Sequence, residues 1–148
     1  MNGYRKVTKL GPEDAAYIAG LIDGEGTISL ARKHRNENRQ LVVSISSTEP
    51  VLLEYVKKTV GAGRITRKRT YSTRHSPSVT YAISNRQALT LIEQVAPYLK
   101  TYKSQRARLV LDHYVRLTPR NGKYDLNQLR EREEMITQFL CLNPRTHL

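Results

Sequence analysis

Two stretches of this chain carry the same order of periodicities, and that order constrains the fold more than any other feature. Each begins with a helical run and continues into two alternating runs separated by a polar loop. In the first stretch, Gly11-Pro12-Glu13-Asp14 opens a helix, because proline suits the first helical position and acids suit the positive end of the dipole. Ala15, Ile18, Leu21 and Ile22 recur at helical spacing, and the run ends near Asp23-Gly24. Thr27 to Lys33 then predicts a strand with Ile28 and Leu30 on one face and Ser29, Ala31 and Lys33 on the other. A polar loop over residues 34–38 leads to a second strand, Gln40 to Ser47, which sets Leu41, Val43 and Ile45 against Gln40, Val42 and Ser44. In the second stretch, Pro50 opens a helix to about Thr59 and Gly61-Ala62-Gly63 ends it. Arg64 to Tyr71 and Val79 to Ser84 predict strands around another polar loop. Asn85 is expected to cap a third helix running to about Leu99. Two more helices are expected, from about Ser104 to Leu117 and from about Asp125 to Leu140.

The expected class is α+β, in the order α-β-β-α-β-β-α plus C-terminal helices. Its four-stranded antiparallel sheet would pack helices on one face and leave the other face free. At 148 residues and 17.0 kDa the chain is expected to form a single domain over 1–148. Its core would span about 12–117, with C-terminal helices and a tail at 118–148. The longest apolar run, AAYIAGLI at 15–22, falls far short of the ~20 residues of a membrane span. MNGYRKVTK has no apolar stretch of the secretory kind. No membrane partner is therefore expected. The single cysteine, Cys141, cannot form an internal disulfide and points to a reducing, intracellular compartment. Organelle, archaeal and bacterial hosts are not distinguished by this. The four histidines are far apart and do not have zinc-site spacing.

Charge identifies the free face. The chain has 25 Lys and Arg against 13 Asp and Glu, a net charge of +12, which points to a polyanion as partner. Residues 1–31 are net −1, residues 32–75 net +8 and residues 76–148 net +5. The excess thus concentrates on the predicted strands and their loops. The free face would carry Ser29, Lys33, Gln40, Ser44, Arg64, Thr66, Lys68 and Thr80, with His34, Arg35, Arg74 and His75 at the loop tips. Such a surface suits a β-ribbon in the DNA major groove: glutamine pairs with adenine, arginine and lysine pair with guanine, and further cations meet phosphates. Strands of about nine residues at ~3.3 Å rise would span roughly 30 Å, or about nine base pairs.

The first helix ends in IAGLIDGEG, residues 18–26. Within it Ala16, Gly20 and Gly24 place small side chains at i, i+4 and i+8, where a second helix backbone can approach closely. The nonapeptide resembles the signature of the LAGLIDADG homing endonucleases. Six of nine positions are identical, and Ile18, Gly24 and Glu25 depart, the last conservatively. The motif occurs once, as in the short homodimeric members of that family.

The resemblance implies a saddle-shaped αββαββα fold and a site-specific double-strand DNA endonuclease acting on a pseudo-palindromic target of roughly 18–20 pairs, two half-sites of the length estimated above. It implies a homodimer whose seam is Ala16, Ala19, Gly20, Asp23 and Gly24. It assigns Glu25 as catalytic metal ligand with the Gly24 backbone carbonyl. Mg²⁺ is the implied ion, with Mn²⁺ or Ca²⁺ able to substitute for binding. Asp23 is assigned to capping helix-end backbone groups. Ser47 stands where the family has a Gln or Asn that positions water. Aligning PYLKTYKSQRARLVL (97–111) places Lys103 at the family's basic active-site position, with Lys100 as alternative. Family members are usually encoded in introns or inteins. The competing reading is an RNA-binding intron-splicing maturase on the same fold, and the intact Glu25 favours the nuclease. Of the aromatic residues, Tyr17, Tyr55, Tyr81 and Tyr114 are expected in the core, and Tyr124 and Phe139 are expected to pack the C-terminal helices.

Overall fold

A computed structural model describes residues 5–67 and 77–147, with side chains described through 145. Lys68, Arg74 and His75 lie outside the described residues. The elements run α1 (Pro12–Glu25), β1 (Gly26–Ala31), β2 (Gln40–Ser47), α2 (Pro50–Val60), β3 (Arg64–Arg67), β4 (Val79–Ser84), α3 (Asn85–Val95), α4 (Lys103–His113) and α5 (Leu126–Cys141). Short 3-10 turns follow α3 and α5.

The sheet order is β1-β2-β4-β3, and every neighbouring pair is antiparallel. Each helix–strand–strand unit puts its first strand at an edge and its second in the centre, so the units join through β2 and β4. Alternation is clean. Ile28, Leu30, Leu41, Val43, Ile45, Val79, Tyr81 and Ile83 are buried on one face, against α1, α2 and α3. Tyr81 is wholly buried, and its hydroxyl donates to the Ala62 carbonyl at 2.6 Å.

Several expectations need correction. The described strands have four to eight residues, so β2, the longest, spans about 26 Å at ~3.3 Å rise, short of the expected 30 Å. Asn85 does not cap α3. The N-cap is Ser84, while Asn85 sits at φ 56 and its Oδ1 accepts from the Tyr114 hydroxyl at 3.1 Å. Tyr114 is buried, Tyr55 is half-buried and Tyr17 is 51% exposed, its ring edge-on to Tyr55. α4 starts at Lys103 and stops at His113, short of Leu117.

α5 begins with a full capping box. Gln128 N–H donates to Asp125 Oδ1 at 2.7 Å, and Asp125 N–H donates to Gln128 Oε1 at 3.1 Å. Two arginines hold the helix to the body. Arg132, 3% exposed, donates to the carbonyls of Leu117 and Arg39 and to Thr118 Oγ1, and lies over the rings of Tyr114 and Tyr124. Arg106 of α4 donates to the carbonyls of Leu142 and Ile28 and covers the Phe139 ring. Through Arg39, which itself donates to Leu30, α5 fixes the base of the β1–β2 hairpin.

Candidate active site and nucleic-acid interface

α1 separates its residues cleanly. Ala15, Ile18, Ala19 and Ile22 are buried against the sheet, while Ala16, Gly20, Gly24 and Glu25 are exposed. A Cβ added at Gly20 or Gly24 would meet nothing within 4 Å. No contact among the described residues therefore explains the missing side chains. Ala19, expected in the dimer seam beside this stripe, is completely buried in the chain's own core. Gly26, the last residue of the motif, has the opposite character. A Cβ there would come within 2.8 Å of Ile22 Cα and 2.9 Å of the Ser44 carbonyl oxygen. This closeness lets the chain leave the helix directly into β1 beside β2.

Asp23 is half-buried and turned toward the segment that leads into α4. Its carboxylate accepts from Lys100 N–H at 2.8 Å, Thr101 N–H at 3.3 Å and Thr101 Oγ1 at 2.6 Å. Lys103 is 7% exposed, and its Nζ donates to the carbonyls of Ile22 at 2.8 Å and Asp23 at 2.9 Å. Burial lowers its pKa; the carboxylates of Asp23 and Glu25 act in the opposite direction and Arg106 with the burial. α1 has no basic residue in its last turn, so this distant ammonium faces the negative end of the helix dipole. Two of the three N–H donors of Lys103, the lysine expected at the basic active-site position, are thus spent on the helix end. The Lys100 side chain is exposed. Ser47, expected to hold water, is half-buried, and its hydroxyl accepts from Glu49 N–H at 3.0 Å where the chain turns into α2.

The donor set at the end of α1 suits a hard cation. It offers an exposed carboxylate, Glu25, beside the backbone carbonyl of Gly24, at a helix end that is electronegative on its own account. One chain supplies one such carboxylate. Among the described residues, no three His, Cys, Asp or Glu side chains gather as a metal site.

The open sheet face meets this end. Strand pairing sets Thr27, Ser44, Ala82 and Arg64 in one row across it, and Ser46, Thr80 and Thr66 in another. Hydroxyls pair between strands, Thr27 with Ser44 at 2.7 Å and Ser46 with Thr80 at 2.8 Å. Ser29 is half-buried, and its hydroxyl lies 3.4 Å from the Val42 carbonyl. Lys33, His34, Arg35 and Gln40 are exposed at the β1–β2 end, and Arg64 and Thr66 at the β3 edge. Gln40, Val42 and Ala82 line a depression of about 840 Å³ between Arg32, Lys33 and Arg64. The face is a hydroxyl floor with a basic rim.

Some contributors went unread in the sequence. Thr27 and Ser46 follow the same alternation as Ser29 and Ser44 and could have been read from it. Arg132 went unread and occupies a core phase with Met135, Ile136 and Phe139, while Lys103, expected at the active site, occupies one with Ala107, Val110, Tyr114 and Leu117. A cation in an apolar helical stripe is the signal that both are buried.

Comparison with known proteins bears on the family and the fold. Residues 18–126 match the LAGLIDADG endonuclease family. The chain is 27% identical over 119 residues to "Intron-encoded DNA endonuclease ai2b" of Dictyostelium discoideum, a match covering 80% of this chain and 45% of that protein. Its fold is similar to the homing endonuclease I-CvuI in complex with its target in the presence of Ca, with TM-score 0.73, 21% identity and coverage of 89% of this chain and 83% of that one. It is also similar to the archaeal intron-encoded homing endonuclease I-Vdi141I complexed with DNA, with TM-score 0.61, 16% identity and coverage of 90% and 86%. The match to the family extends over well over half the chain and starts at the first residue of the motif, so this chain belongs to the LAGLIDADG endonuclease family.

Proposed function

We propose that the protein is a site-specific DNA endonuclease that works as a homodimer with a divalent metal, Mg²⁺ by preference. The observation that carries this reading is the outward face of α1. Its small residues Ala16, Gly20 and Gly24 are exposed, a Cβ at either glycine would meet nothing among the described residues, and the stripe ends in the exposed carboxylate of Glu25. Two copies crossing on that stripe would bring two Glu25 carboxylates together at the junction of their two basic sheet faces. DNA phosphates would be repelled there unless cations lay between.

A divalent ion held by Glu25 and the Gly24 carbonyl would lower the pKa of a bound water and neutralise charge developing on the phosphate. The remaining work belongs to the chain. The sheet face would lie in the major groove, with Gln40 and Arg64 able to address base edges. Ser29, Ser44, Thr66 and Thr80 supply hydroxyl donors and acceptors, while Lys33, His34 and Arg35 meet phosphates. Asp23 and Lys103 act as positioning residues: they lock the end of α1 to the start of α4 and so fix where Glu25 points. Lys100, exposed beside that lock, is the better placed of the two lysines to reach a phosphate.

The relative from Dictyostelium is named as intron-encoded, and an intron insertion site is the natural substrate to test. Plasmid carrying the uninterrupted insertion site of the host gene is incubated with the protein and Mg²⁺. The expected product is a linear molecule, absent in EDTA and absent with Glu25→Gln. An intact plasmid in Mg²⁺, together with tight binding of the intron RNA, would replace this reading with the maturase.

A further inference from the structure

The N-terminal segment is tied down by α3. Gln87 Nε2 donates to the Arg5 carbonyl at 2.6 Å. Gln94 Nε2 donates to the Thr8 carbonyl at 3.1 Å, and its Oε1 accepts from Leu10 N–H at 2.6 Å. Thr8 N–H donates to the Val60 carbonyl at 2.8 Å. Gly61, at φ 80, completes the seat, since a Cβ there would fall 2.6 Å from Thr8 Oγ1. Val7 and Leu10 pack on the core. Two glutamine side chains, a glycine and two apolar anchors make this segment part of the body.

Its position has a chemical consequence. Arg5 stands at the border of two depressions, the one on the sheet face and a second of about 630 Å³ between the end of α2 and β3. Lys57, Lys58 and Arg67 line the second with Arg5, against one carboxylate, Glu54. All four cations are exposed. The ion pair found among the described residues, Arg116 with Glu131, involves none of them. The helix dipole favours Lys57 and Lys58 in the last turn of α2, but it does not account for Arg5 or Arg67. Unpaired cations from three parts of the chain repel one another, and a polyanion offsets that repulsion. Among the described residues the lining includes no aromatic ring on which a base could stack, and its cations suit phosphate.

We propose that Arg5, Lys57, Lys58 and Arg67 form a phosphate-binding rim that carries the DNA backbone past the end of the sheet face, with Gln87 and Gln94 as positioning residues that hold Arg5 in it. This rests on the DNA-binding reading of the sheet. Because the contacts are to phosphate, they add affinity and footprint length and leave base preference unchanged.

The test is the salt dependence of duplex binding without added metal. Each phosphate contact contributes about 0.9 to the slope of log affinity against log salt. The combined Lys57→Gln, Lys58→Gln, Arg67→Gln variant is therefore expected to lower the slope by about 2 to 3. Its ranking of altered target sequences should match that of the wild type. Arg5→Gln and Gln87→Leu are each expected to lower the slope by about one, and the match between them reads out positioning. A wild-type protein that fails to bind duplex overturns the DNA-binding reading and the rim with it. A wild-type slope that is steep and unchanged in the combined variant overturns the rim alone.

Discussion

α1 and α2 occupy equivalent places in the two helix–strand–strand units, yet they finish with opposite charge. α2 ends on Lys57 and Lys58, and a left-handed Gly61 closes it, so its own sequence supplies what a helix C-terminus favours. α1 carries no basic residue in its last turn and ends on Glu25, which the helix dipole disfavours. Its cation comes from α4, where the Lys103 ammonium bonds the last-turn carbonyls of Ile22 and Asp23. Under the proposed function, the difference lies in the carboxylate that the end of α1 must present. A cation on the α1 surface would serve the helix better, but it would compete with the proposed metal. The compensating charge is therefore buried beneath the helix end, and the acid is left exposed above it.

Changes at these two ends should separate their roles. The largest effect is expected from Glu25→Gln: cleavage should fall on the order of 10³-fold or more, while target binding stays within a few fold. Single-turnover cleavage and filter binding measure the two quantities. Lys103→Met comes next. Losing two charge-assisted bonds to the helix end should destabilise the fold by about 2–3 kcal/mol in urea titration. A variant that kept its stability and instead lost about one unit of salt slope would return Lys103 to the phosphate. Lys57→Ala with Lys58→Ala should cost only about 0.3–1 kcal/mol of stability per residue, because these lysines are exposed and self-sufficient.

The smallest effect concerns the bond joining the two helices, in which the Tyr55 hydroxyl donates to Asp14 at 2.5 Å. That bond is the largest cause holding the Tyr55 pKa above its ordinary value of 10.0. A raised tyrosine pKa means the folded state keeps its proton longer. The contribution is then complete below about pH 10 and is lost as pH rises through the raised value. Tyr55→Phe should be slightly less stable than wild type near neutral pH, and the gap should close at strongly alkaline pH.

Much of this was legible beforehand, for identifiable reasons. β2 and β4 begin and end at the expected residues because their alternation is strict and Pro50 and Asn85 stand close behind them. Pro12 marked the start of α1, and the motif marked its end. What stayed hidden depends on helical phase or on distant partners. Ala19 is as small as Ala16, but it shares the phase of Ile18 and Ile22 and is buried with them. Tyr17 lies on the outward phase, so its size did not take it into the core. Lys103 and Arg132 look like surface cations until the carbonyls that receive them, 80 and 15 residues away among others, are brought alongside by the fold. Asn85 has the chemistry of a cap, yet the strand–helix junction gave that position to Ser84.

In the proposed dimer, two copies meet on the outward stripe of α1 and their Glu25 carboxylates converge there. Disulfide trapping tests it most directly. Gly20→Cys is introduced into a Cys141→Ser background, since Cys141 is exposed and would cross-link on its own account. Oxidation should give a species of twice the 17.0 kDa chain mass in high yield, and Glu93→Cys on the exposed side of α3 should not. Equal cross-linking of the two variants, or a monomer from Gly20→Cys at micromolar protein, would contradict the account.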